Sequence, residues 1–398
     1  GGDWTYVNSM FNLYTEKGNK VIPFSCKDNR NLESEYSEYF YDKFDSESKN
    51  PLKLRRNINS AGAKLENLIK SNRIDVAHLN NLNHYVTPKF LRILSKHSIP
   101  IIITVHDYKF FCSLTTFFRN RQVCEECSGG KFIRCTVNKC KGGKLLPSLY
   151  SSIQNYYYNI IRIYNRIDYF ICPSEFIRQI FIKNGYDENK LITIYHFYEK
   201  EIINNVNKLT NEKSNNKRYI TYLGRVEENK GIRTLINAVA ELPDVNLTVI
   251  GYGNLLKEMK EYCKNKNITN IEFTGNKERK DALYNVMQSK FLVVPSIWYE
   301  VFGYTVIEGM LLGKPVIASD SGALPELINN GKNGFIYKSG SVSELKETIM
   351  SLYYDDNKIN SLGNTAKERA YEITDRDSYY DKIEEVFKKY NPAYPFEY

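Results

Sequence analysis

Glu300 and Glu308, eight positions apart, lie in the part of the chain whose residue types could do chemistry. The apolar run 292–294 predicts a buried strand that ends at a Pro-Ser turn. A helix is predicted to begin around Gly303 and to end at Gly313. Glu300 is therefore expected in a loop at the carboxyl end of a strand, and Glu308 about two turns into the helix.

Carboxylates at this place suit a ligand that carries hydroxyl groups on both sides of an anionic centre. Open α/β sheets bind ligands at the carboxyl ends of their strands, where helix amino-termini offer unpaired N–H groups to phosphates. One carboxylate can contact a sugar hydroxyl while the other binds a ribose. Two glutamates at this spacing also occur by chance in helical proteins, so the pair needs a second signal.

The second signal is a pair of cations upstream, Arg225 and Lys230. They flank a glycine-containing turn between a predicted strand at 219–223 and a helix whose apolar residues at 232–239 have helical spacing. A guanidinium fork and an ammonium group at one helix start can neutralise a diphosphate. Without the two glutamates, a solvated Arg and Lys would be the better interpretation. Together the four side chains favour a nucleoside diphosphate that carries a sugar.

Further segments have the order and spacing of one enzyme family. They are GRVEENKG (224–231), VIGYG (249–253), FTG (273–275), PSIWYEVFGYTVIE (295–308), GKPVIASDSGALPE (313–326), DVAHLNN (75–81), IPIIITVHDYK (99–109) and DYFICPSEF (168–176). Spread over nearly the whole chain, these segments resemble the retaining glycosyltransferases of family 4, a nucleotide-sugar-dependent group with the GT-B fold.

The resemblance implies an α/β fold with two Rossmann-like, doubly wound domains that face each other across a cleft. A length of 398 residues suits two such domains. We expect an acceptor-side domain at 1–198 with a Cys-rich insertion at 112–144, and a donor-binding domain at 218–375. A polar linker at 199–217 joins them. The final segment, 376–398, is expected to form a helix that packs back on the first domain.

The resemblance also assigns roles to individual side chains. Arg225 and Lys230 match the residues that neutralise the donor diphosphate. Glu300 matches the glutamate that contacts the transferred sugar, and Glu308 the one that contacts the ribose. His106 matches the histidine that faces the donor sugar from the opposite domain. These residues are the expected catalytic and ribose-binding groups.

Backbone groups complete the expected donor site. The residues predicted to line it are Gly2, Gly224, Gly251, Phe302, Gly303 and Tyr304. Gly1 and Gly2 begin where family members have a glycine turn after their first strand. We therefore expect about ten further residues upstream that form this strand. The strand predicted next lies at 21–24, after a helix around Met10.

The expected reaction is transfer of a hexosyl group from a UDP- or GDP-sugar with retention at the anomeric carbon. The resemblance implies that the leaving phosphate takes the acceptor proton, so no catalytic metal is expected. The acceptor is expected to be a glycan or a lipid-linked glycan in cell-surface polysaccharide synthesis. Two alternatives remain: a nucleotide-sugar epimerase or phosphorolytic enzyme, which needs no acceptor, and a noncatalytic interaction module. The expected location is the cytoplasm, and the inner face of the plasma membrane if the protein docks on lipid.

The cysteines form a separate signal, because four of the eight occur within one short run. Their order is Cys124-x2-Cys127-x7-Cys135-x4-Cys140. The run is rich in glycine and basic residues and has little apolar content, so a cross-link would help to order it. A structural zinc ion bound by four thiolates suits this spacing. Disulfides and reduced thiols are the alternatives, and a reducing compartment disfavours disulfides.

Positive charge is concentrated around this run. Residues 101–170 contain ten Lys or Arg and four Asp or Glu. Behind the run, apolar residues recur with helical spacing at Leu149, Ile153, Tyr157, Ile160, Tyr164 and Ile167. The stripe predicts either a core-facing helix beside a solvated basic loop, or a surface that docks on anionic lipid. Nucleic acid is not an expected partner, because no recognition motif accompanies the charge. The sequence has no apolar run long enough to span a bilayer.

Overall fold

The computed structural model describes residues 2–29, 31, 33–43, 51–82, 87–199, 201, 204 and 218–390. Its α-helices are α1 Gly2–Glu16, α2 Pro51–Ser71, α3 Lys89–Lys96, α4 Ile133–Val137, α5 Leu145–Ile160, α6 Glu175–Lys183, α7 Ile232–Ala240, α8 Leu256–Asn265, α9 Arg279–Gln288, α10 Tyr304–Leu311, α11 Leu324–Leu327, α12 Val342–Tyr353, α13 Asp356–Ile373 and α14 Arg376–Tyr390. Its strands are β1 Ala77–Asn80, β2 Ile101–Thr104, β3 Phe118–Arg119, β4 Gln122–Val123, β5 Tyr169–Cys172, β6 Leu191–Thr193, β7 Tyr219–Leu223, β8 Asn246–Ile250, β9 Ile271–Gly275, β10 Leu292–Val294, β11 Val316–Ser319 and β12 Gly334–Tyr337.

The amino-terminal half is built on a parallel sheet with the order β1-β2-β5-β6. Both faces of this sheet are covered, which explains the continuous apolar run of β2. Alternate residues of a strand point to opposite faces. Ile101 and Ile103 pack in the cluster that contains residues of α2 and α3, whereas Ile102 packs with α1 and α14. The predicted strands around residues 76–78, 101–103 and 169–171 are confirmed.

The strand predicted at 21–24 is wrong. These residues form no ladder with the described residues, and an isolated bridge joins Cys26 to Tyr41. Pro23 has no N–H to donate to a ladder. The apolar pattern instead reflects packing, because Ile22 and Phe24 contact the amino-terminal core. The helix predicted around Met10 is confirmed as α1.

The carboxyl-terminal half is built on a parallel sheet with the order β12-β11-β10-β7-β8-β9. The chain proceeds from β7 through β8 to β9 on one side, and from β10 through β11 to β12 on the other. The direction therefore reverses between β7 and β10, which are neighbours. A crevice forms at such a switch point, outside the carboxyl ends of the strands. Arg225 follows β7 and Glu300 follows β10, so both are brought to this crevice.

The final helix, α14, crosses back to the amino-terminal half, as predicted. Its Tyr379 hydroxyl is hydrogen-bonded to that of Tyr6, and its Tyr390 hydroxyl donates to the carbonyl oxygen of Asp168 at 2.9 Å. Ile383 is buried in the same cluster. The two halves together form the two-domain GT-B α/β fold. The expected linker, 199–217, lies largely outside the described residues, and the domain boundaries stay predictions.

Candidate active site

A cavity of about 530 Å³ lies at the switch point between β7 and β10. Residues of α1, the segment 197–199 and the carboxyl-terminal sheet edge line it. The charged residues of its wall are Glu199, Arg225, Lys230, Lys277, Arg279, Glu300 and Glu308. The structure thus brings together the four charged side chains that the sequence singled out. A wall with both signs of charge suits a ligand that has an anionic centre and hydroxyl groups.

Glu300 and Lys230 form an ion pair in this wall. The Lys230 Nζ donates to Glu300 Oε1 at 2.7 Å, and the Ser296 hydroxyl donates to the same oxygen at 2.5 Å. Burial alone would raise the pKa of Glu300, but the neighbouring ammonium group and these hydrogen bonds keep that pKa below its ordinary value. Glu300 is therefore a carboxylate at neutral pH, and it accepts hydrogen bonds.

A close backbone approach places this pair. Gly231, directly after Lys230, has φ +68°, and a Cβ there would lie 1.7 Å from the carbonyl oxygen of Pro295. The Ile297 N–H also donates to the Asn229 carbonyl at 2.9 Å. Only glycine permits this contact, because any larger residue would push the two loops apart. The turn after β7 and the loop after β10 are thereby held side by side.

Glu308 is the second carboxylate of the wall, and it is only 5% exposed. Its Oε1 accepts from Arg279 Nη2 at 2.5 Å and from the Tyr198 hydroxyl at 3.3 Å. Burial raises the pKa of Glu308, and the guanidinium of Arg279 opposes this rise. The sequence prediction missed Arg279 and Tyr198. A basic side chain shortly after β9, at the same sheet edge, was the signal that could have found Arg279.

Arg225 is the most open of the four residues. Its side chain is 54% exposed and pairs with Glu227, two residues along the chain, at 3.0 Å. Gly224 and Gly251 line the cavity beside it, as predicted, and so does Tyr304 at the start of α10. Among the described residues the ion partner of Arg225 is this neighbouring Glu227 carboxylate, so the guanidinium can turn toward an anionic ligand at little cost.

His106 is not among the described residues that line the cavity. Its ring contacts Tyr6 at 5.2 Å between centroids and stacks on His196 at 5.3 Å. Tyr6 lines the cavity, and His196 stacks in turn on Tyr304 at 5.5 Å. His106 Nε2 also lies 3.1 Å from Asn80 Oδ1, and the side chain is only partly buried. The predicted role of His106 at the donor sugar stays a prediction.

Two of the predicted backbone contributors, Phe302 and Gly303, are not among the described residues that line the cavity. Gly2 begins α1, and Thr5, Tyr6 and Ser9 of that helix line the cavity. The predicted contact of Gly2 with the donor stays a prediction. Phe302 is buried in the core beneath α10. Gly303, with φ +113°, packs against side chains of α11, where a Cβ would lie 2.9 Å from a methyl carbon of Leu324. Tyr304 and Thr305 line the cavity, so the first turn of α10 borders it.

The loop that carries Glu300 is fastened to the amino-terminal half. The Tyr108 hydroxyl donates to the carbonyl oxygen of Tyr299 at 3.1 Å, and the Tyr299 hydroxyl donates to Glu125 Oε1 at 2.8 Å. The Ser174 hydroxyl donates to the Val301 carbonyl at 2.9 Å. Glu125 belongs to the Cys-rich insertion, so this insertion contacts the residue directly before Glu300.

Two histidines near the site, the buried His196 and the partly buried His78, predict how stability depends on pH. Burial lowers the pKa of His78 to about 3 and lowers that of His196 well below its ordinary value. The unfolded chain takes up these protons near pH 6.5 and the folded protein does not, so stability is present above that pH and is lost below it. Each histidine is expected to cost about 2 kcal/mol of unfolding free energy between pH 7 and pH 5.

Urea unfolding at pH 7 and pH 5 measures this loss. His196→Asn removes one of the two titrating groups, so its loss between the two pH values should be smaller than that of the unchanged protein by about 2 kcal/mol. Comparing the two pH values within each variant cancels any effect of the substitution that does not depend on pH. An equal loss in both proteins would contradict the prediction.

The cysteines of the run lie together. Cys124, Cys127, Cys135, Cys140 and also Cys112 line one cavity of about 10 Å³, which is close to the room that a single water molecule needs. A hydrogen bond from the Cys140 thiol lowers the pKa of Cys135. However, the described part of the chain contains no group of three or more His, Cys, Asp or Glu residues arranged to hold a metal ion. The zinc site is therefore not confirmed and stays a prediction.

Metal analysis of protein purified without chelator tests that prediction. A zinc site would give about one equivalent of zinc per chain, and less than about half an equivalent would contradict it. Titration of thiols in the denatured protein separates the alternatives, because eight reactive thiols exclude disulfides and fewer indicate them. Either result assigns the insertion a structural role, since the cavity between β7 and β10 lies elsewhere.

The facing Rossmann-like halves, with a charged cavity at the switch point, define a protein of the GT-B glycosyltransferase class. The family model for Glycosyltransferase Family 4 matches residues 1–201, and the model for Glycosyl transferases group 1 matches residues 205–369. The chain therefore belongs to the glycosyltransferases of family 4.

Individual relatives agree with this assignment. The uncharacterized glycosyltransferase MJ1178 of Methanocaldococcus jannaschii is 29% identical over 309 residues, which are 76% of this chain and 72% of that protein. The crystal structure of Anabaena HepE in complex with UDP-glucose has a TM-score of 0.60 at 19% identity and covers 83% of this chain and 82% of its own. The lipopolysaccharide outer core galactosyltransferase WaaB has a TM-score of 0.65 at 15% identity, with 98% and 96% covered. At these identities the two structures establish the fold alone.

Proposed function

We propose that this glycosyltransferase transfers a hexosyl group from a nucleoside diphosphate sugar with retention at the anomeric carbon. One observation carries the proposal: Arg225, Lys230, Glu300 and Glu308 line a single cavity at the switch point of the carboxyl-terminal sheet. Two cations suit the diphosphate, and a carboxylate on either side suits the hydroxyl groups of a sugar and of a ribose. The HepE structure contains UDP-glucose, which supports a UDP-sugar as the first donor to test.

The side chains have distinct proposed roles. Arg225 and Lys230 stabilise the negative charge that develops on the departing diphosphate, together with N–H groups at the start of α10. Lys230 leaves Glu300 for the phosphate when the donor binds, and Glu300 accepts a hydrogen bond from the sugar. Glu308 accepts hydrogen bonds from the ribose. The leaving phosphate takes the acceptor proton, so none of these groups is needed as a general base.

The proposed acceptor is a glycan or a lipid-linked glycan. The fold shared with WaaB, whose substrate belongs to lipopolysaccharide, supports a cell-surface glycan. We also propose that the reaction takes place in the cytoplasm and, with a lipid-linked acceptor, at the inner face of the plasma membrane. None of the described helices is long and apolar enough to cross a bilayer.

A thermal-shift panel of nucleoside diphosphates and their sugars tests the donor assignment. A ligand that binds the native state raises the melting temperature, and a hundredfold excess over its dissociation constant adds about 2.7 kcal/mol of stability. We expect a shift with one nucleoside diphosphate sugar and a smaller or no shift with the free nucleoside. No shift with any member of the panel would contradict the proposal.

The stereochemistry is tested with the donor that the panel identifies. NMR of the product of an acceptor screen reports the anomeric configuration, and retention requires the configuration of the donor. An inverted product would refute the proposed mechanism.

Release of free sugar, sugar phosphate or an epimerised donor at the same rate without any acceptor would indicate an epimerase or a phosphorolytic enzyme. Donor binding without any product would indicate a noncatalytic module.

A further inference from the structure

Helix α5 has its apolar side in solvent and its polar side against protein. The buried residues of the helix are Ser148, Ser151, Ser152 and Asn155. Its exposed large apolar residues include Leu145, Leu146, Tyr150, Ile153, Tyr157 and Ile160, which we call the α5 face. The exposed fraction is 75% at Leu146 and 78% at Ile160. A surface helix of a globular protein normally has the opposite arrangement. The prediction of a core-facing stripe is therefore wrong for its first four residues, Leu149, Ile153, Tyr157 and Ile160, whereas Tyr164 and Ile167, beyond the helix, do contact the core.

The polar side of α5 is needed by the Cys-rich insertion. The Ser148 hydroxyl donates to the carbonyl oxygen of Lys144 at 2.7 Å and accepts from the Lys141 N–H at 2.9 Å. The Ser152 hydroxyl donates to the Phe132 carbonyl at 2.7 Å, and the Asn155 amide donates to the Ser113 hydroxyl at 2.8 Å. A loop with little regular structure leaves buried backbone groups that require such partners. The helix therefore cannot turn its apolar side inward without losing these bonds.

The charge around the α5 face has one sign. Residues 131–167, which include α4 and α5, contain seven Lys or Arg and no Asp or Glu. Six of the seven basic residues are exposed: Lys131, Arg134, Lys139, Lys144, Arg162 and Arg166. From the neighbouring helix α3, the Arg92 guanidinium donates to the Tyr157 hydroxyl at 3.3 Å, so a further cation borders the face. The nearby acids Glu125 and Glu126 already pair with Lys183 and Arg119.

We propose that the α5 face docks this protein on an anionic lipid surface. The apolar side chains would enter the boundary between head groups and acyl chains, and the surrounding cations would contact the anionic head groups. Charge complementarity favours anionic lipid as the partner. The α5 face is bordered by cations, and an apolar protein partner would not require them. Exposed aromatic and aliphatic residues on one side of a helix, with basic neighbours, are typical of interfacial helices.

The docking surface is connected to the cleft. The insertion that packs on the polar side of α5 also contributes Glu125, which accepts from the Tyr299 hydroxyl at 2.8 Å directly beside Glu300. A protein docked through α5 would thus hold its cleft at the membrane surface that carries a lipid-linked acceptor. Only this link to the acceptor rests on the proposed function; binding to the lipid surface does not.

Co-sedimentation of the full chain with vesicles tests the proposal. We expect binding to vesicles of phosphatidylcholine with about 30% phosphatidylglycerol, little binding to phosphatidylcholine alone, and a strong decrease at high salt.

The double variant Leu146→Glu, Ile153→Glu should lower the partition coefficient at least tenfold (about one decade), because it removes apolar contacts and adds anions. Lys139→Gln should lower it about fivefold. Met350→Glu with Tyr354→Glu, at exposed apolar positions of the carboxyl-terminal half, is the control and should bind as the unchanged protein does.

Several outcomes would overturn the inference. These are equal binding to neutral and anionic vesicles, no binding to either, or undiminished binding by the α5 double variant. A concentration-dependent dimer that this variant abolishes, without vesicle binding by the unchanged protein, would assign the face to a second copy of the chain. Circular dichroism and the thermal shift with the nucleoside diphosphate confirm that the variant is folded and binds donor. Loss of vesicle binding with an intact ligand shift therefore separates docking from the proposed catalysis.

Discussion

Glu300→Gln is expected to lower the turnover of sugar transfer by about two to three orders of magnitude. The carboxylate of Glu300 is a strong acceptor at neutral pH because Lys230 and Ser296 keep its pKa low. A neutral amide of the same size makes weaker hydrogen bonds to a sugar hydroxyl and cannot pair with the Lys230 ammonium. The donor sugar would then be held less firmly at the reacting distance. Glu300→Ala should lose at least as much.

The measurement is initial-rate kinetics with the identified donor, accompanied by thermal unfolding of each variant. Glu300→Gln should keep the thermal shift caused by the nucleoside diphosphate alone, because Glu300 is assigned to the sugar. Glu66→Gln is the matched control, since Glu66 also pairs with a lysine, Lys96, at 3.2 Å but lies outside the cavity wall. Near-normal turnover in the Glu300 variants would end the assignment of this residue to the transferred sugar.

Arg225→Ala is expected to lower kcat/KM by about two to three orders of magnitude. Unlike Glu300→Gln, it should also weaken binding of the nucleoside diphosphate itself. The guanidinium is half exposed and pairs with Glu227, two residues along the chain, so its removal should leave the fold intact. What is lost is a cation next to the diphosphate, in the ground state and in the transition state. Arg225→Ala should therefore weaken the thermal shift given by a nucleoside diphosphate more than the shift given by the nucleoside. Arg225→Lys should recover part of the rate, because it restores the charge without the planar fork.

Arg73→Ala is the control for this change. Arg73 is exposed and pairs with Asp75 two residues along the chain at 3.0 Å, in the same manner as Arg225 with Glu227, and it lies far from the carboxyl-terminal sheet in sequence. It should alter neither kinetics nor ligand binding. A nucleoside diphosphate shift that survives intact in Arg225→Ala would place the diphosphate away from Arg225 and would contradict the proposed orientation of the donor.

Sequence reasoning reached the charged residues of the cavity because local signals determine their positions. Arg225 and Glu300 each follow a short apolar strand, and parallel strands of one sheet direct their carboxyl ends to the same edge. Gly231 adds the close approach that places Lys230 beside Glu300. The first inference needs only the strands, the turns after them and the order of elements, whereas the close approach at Gly231 is visible only in the structure. The family motifs independently predict that these charged residues meet at one site.

Side chains whose partners come from distant parts of the chain were harder to predict. His106 contacts Tyr6 from α1 and His196 from the end of the amino-terminal half, and nothing in the spacing of its own segment predicts these contacts. The ion pair between Arg279 and Glu308 joins two helices. The position of Arg279 shortly after β9 could have placed it at this sheet edge, but it does not specify Glu308 as its partner. Aromatic packing and ion pairs of this kind depend on how the elements are layered, which sequence spacing does not specify.

The sequence by itself determined the alternation of strands and helices, the edge of the sheet where ligands bind and the four charged residues that meet there. These follow from periodicity, glycine turns and strand order, which are local properties. Only the tertiary structure decided which side of α5 is buried. Both sides of that helix have regular spacing, so the pattern cannot tell them apart. The backbone groups of the Cys-rich insertion require hydrogen-bond partners, and this requirement turns the serines and Asn155 inward and the apolar residues toward solvent.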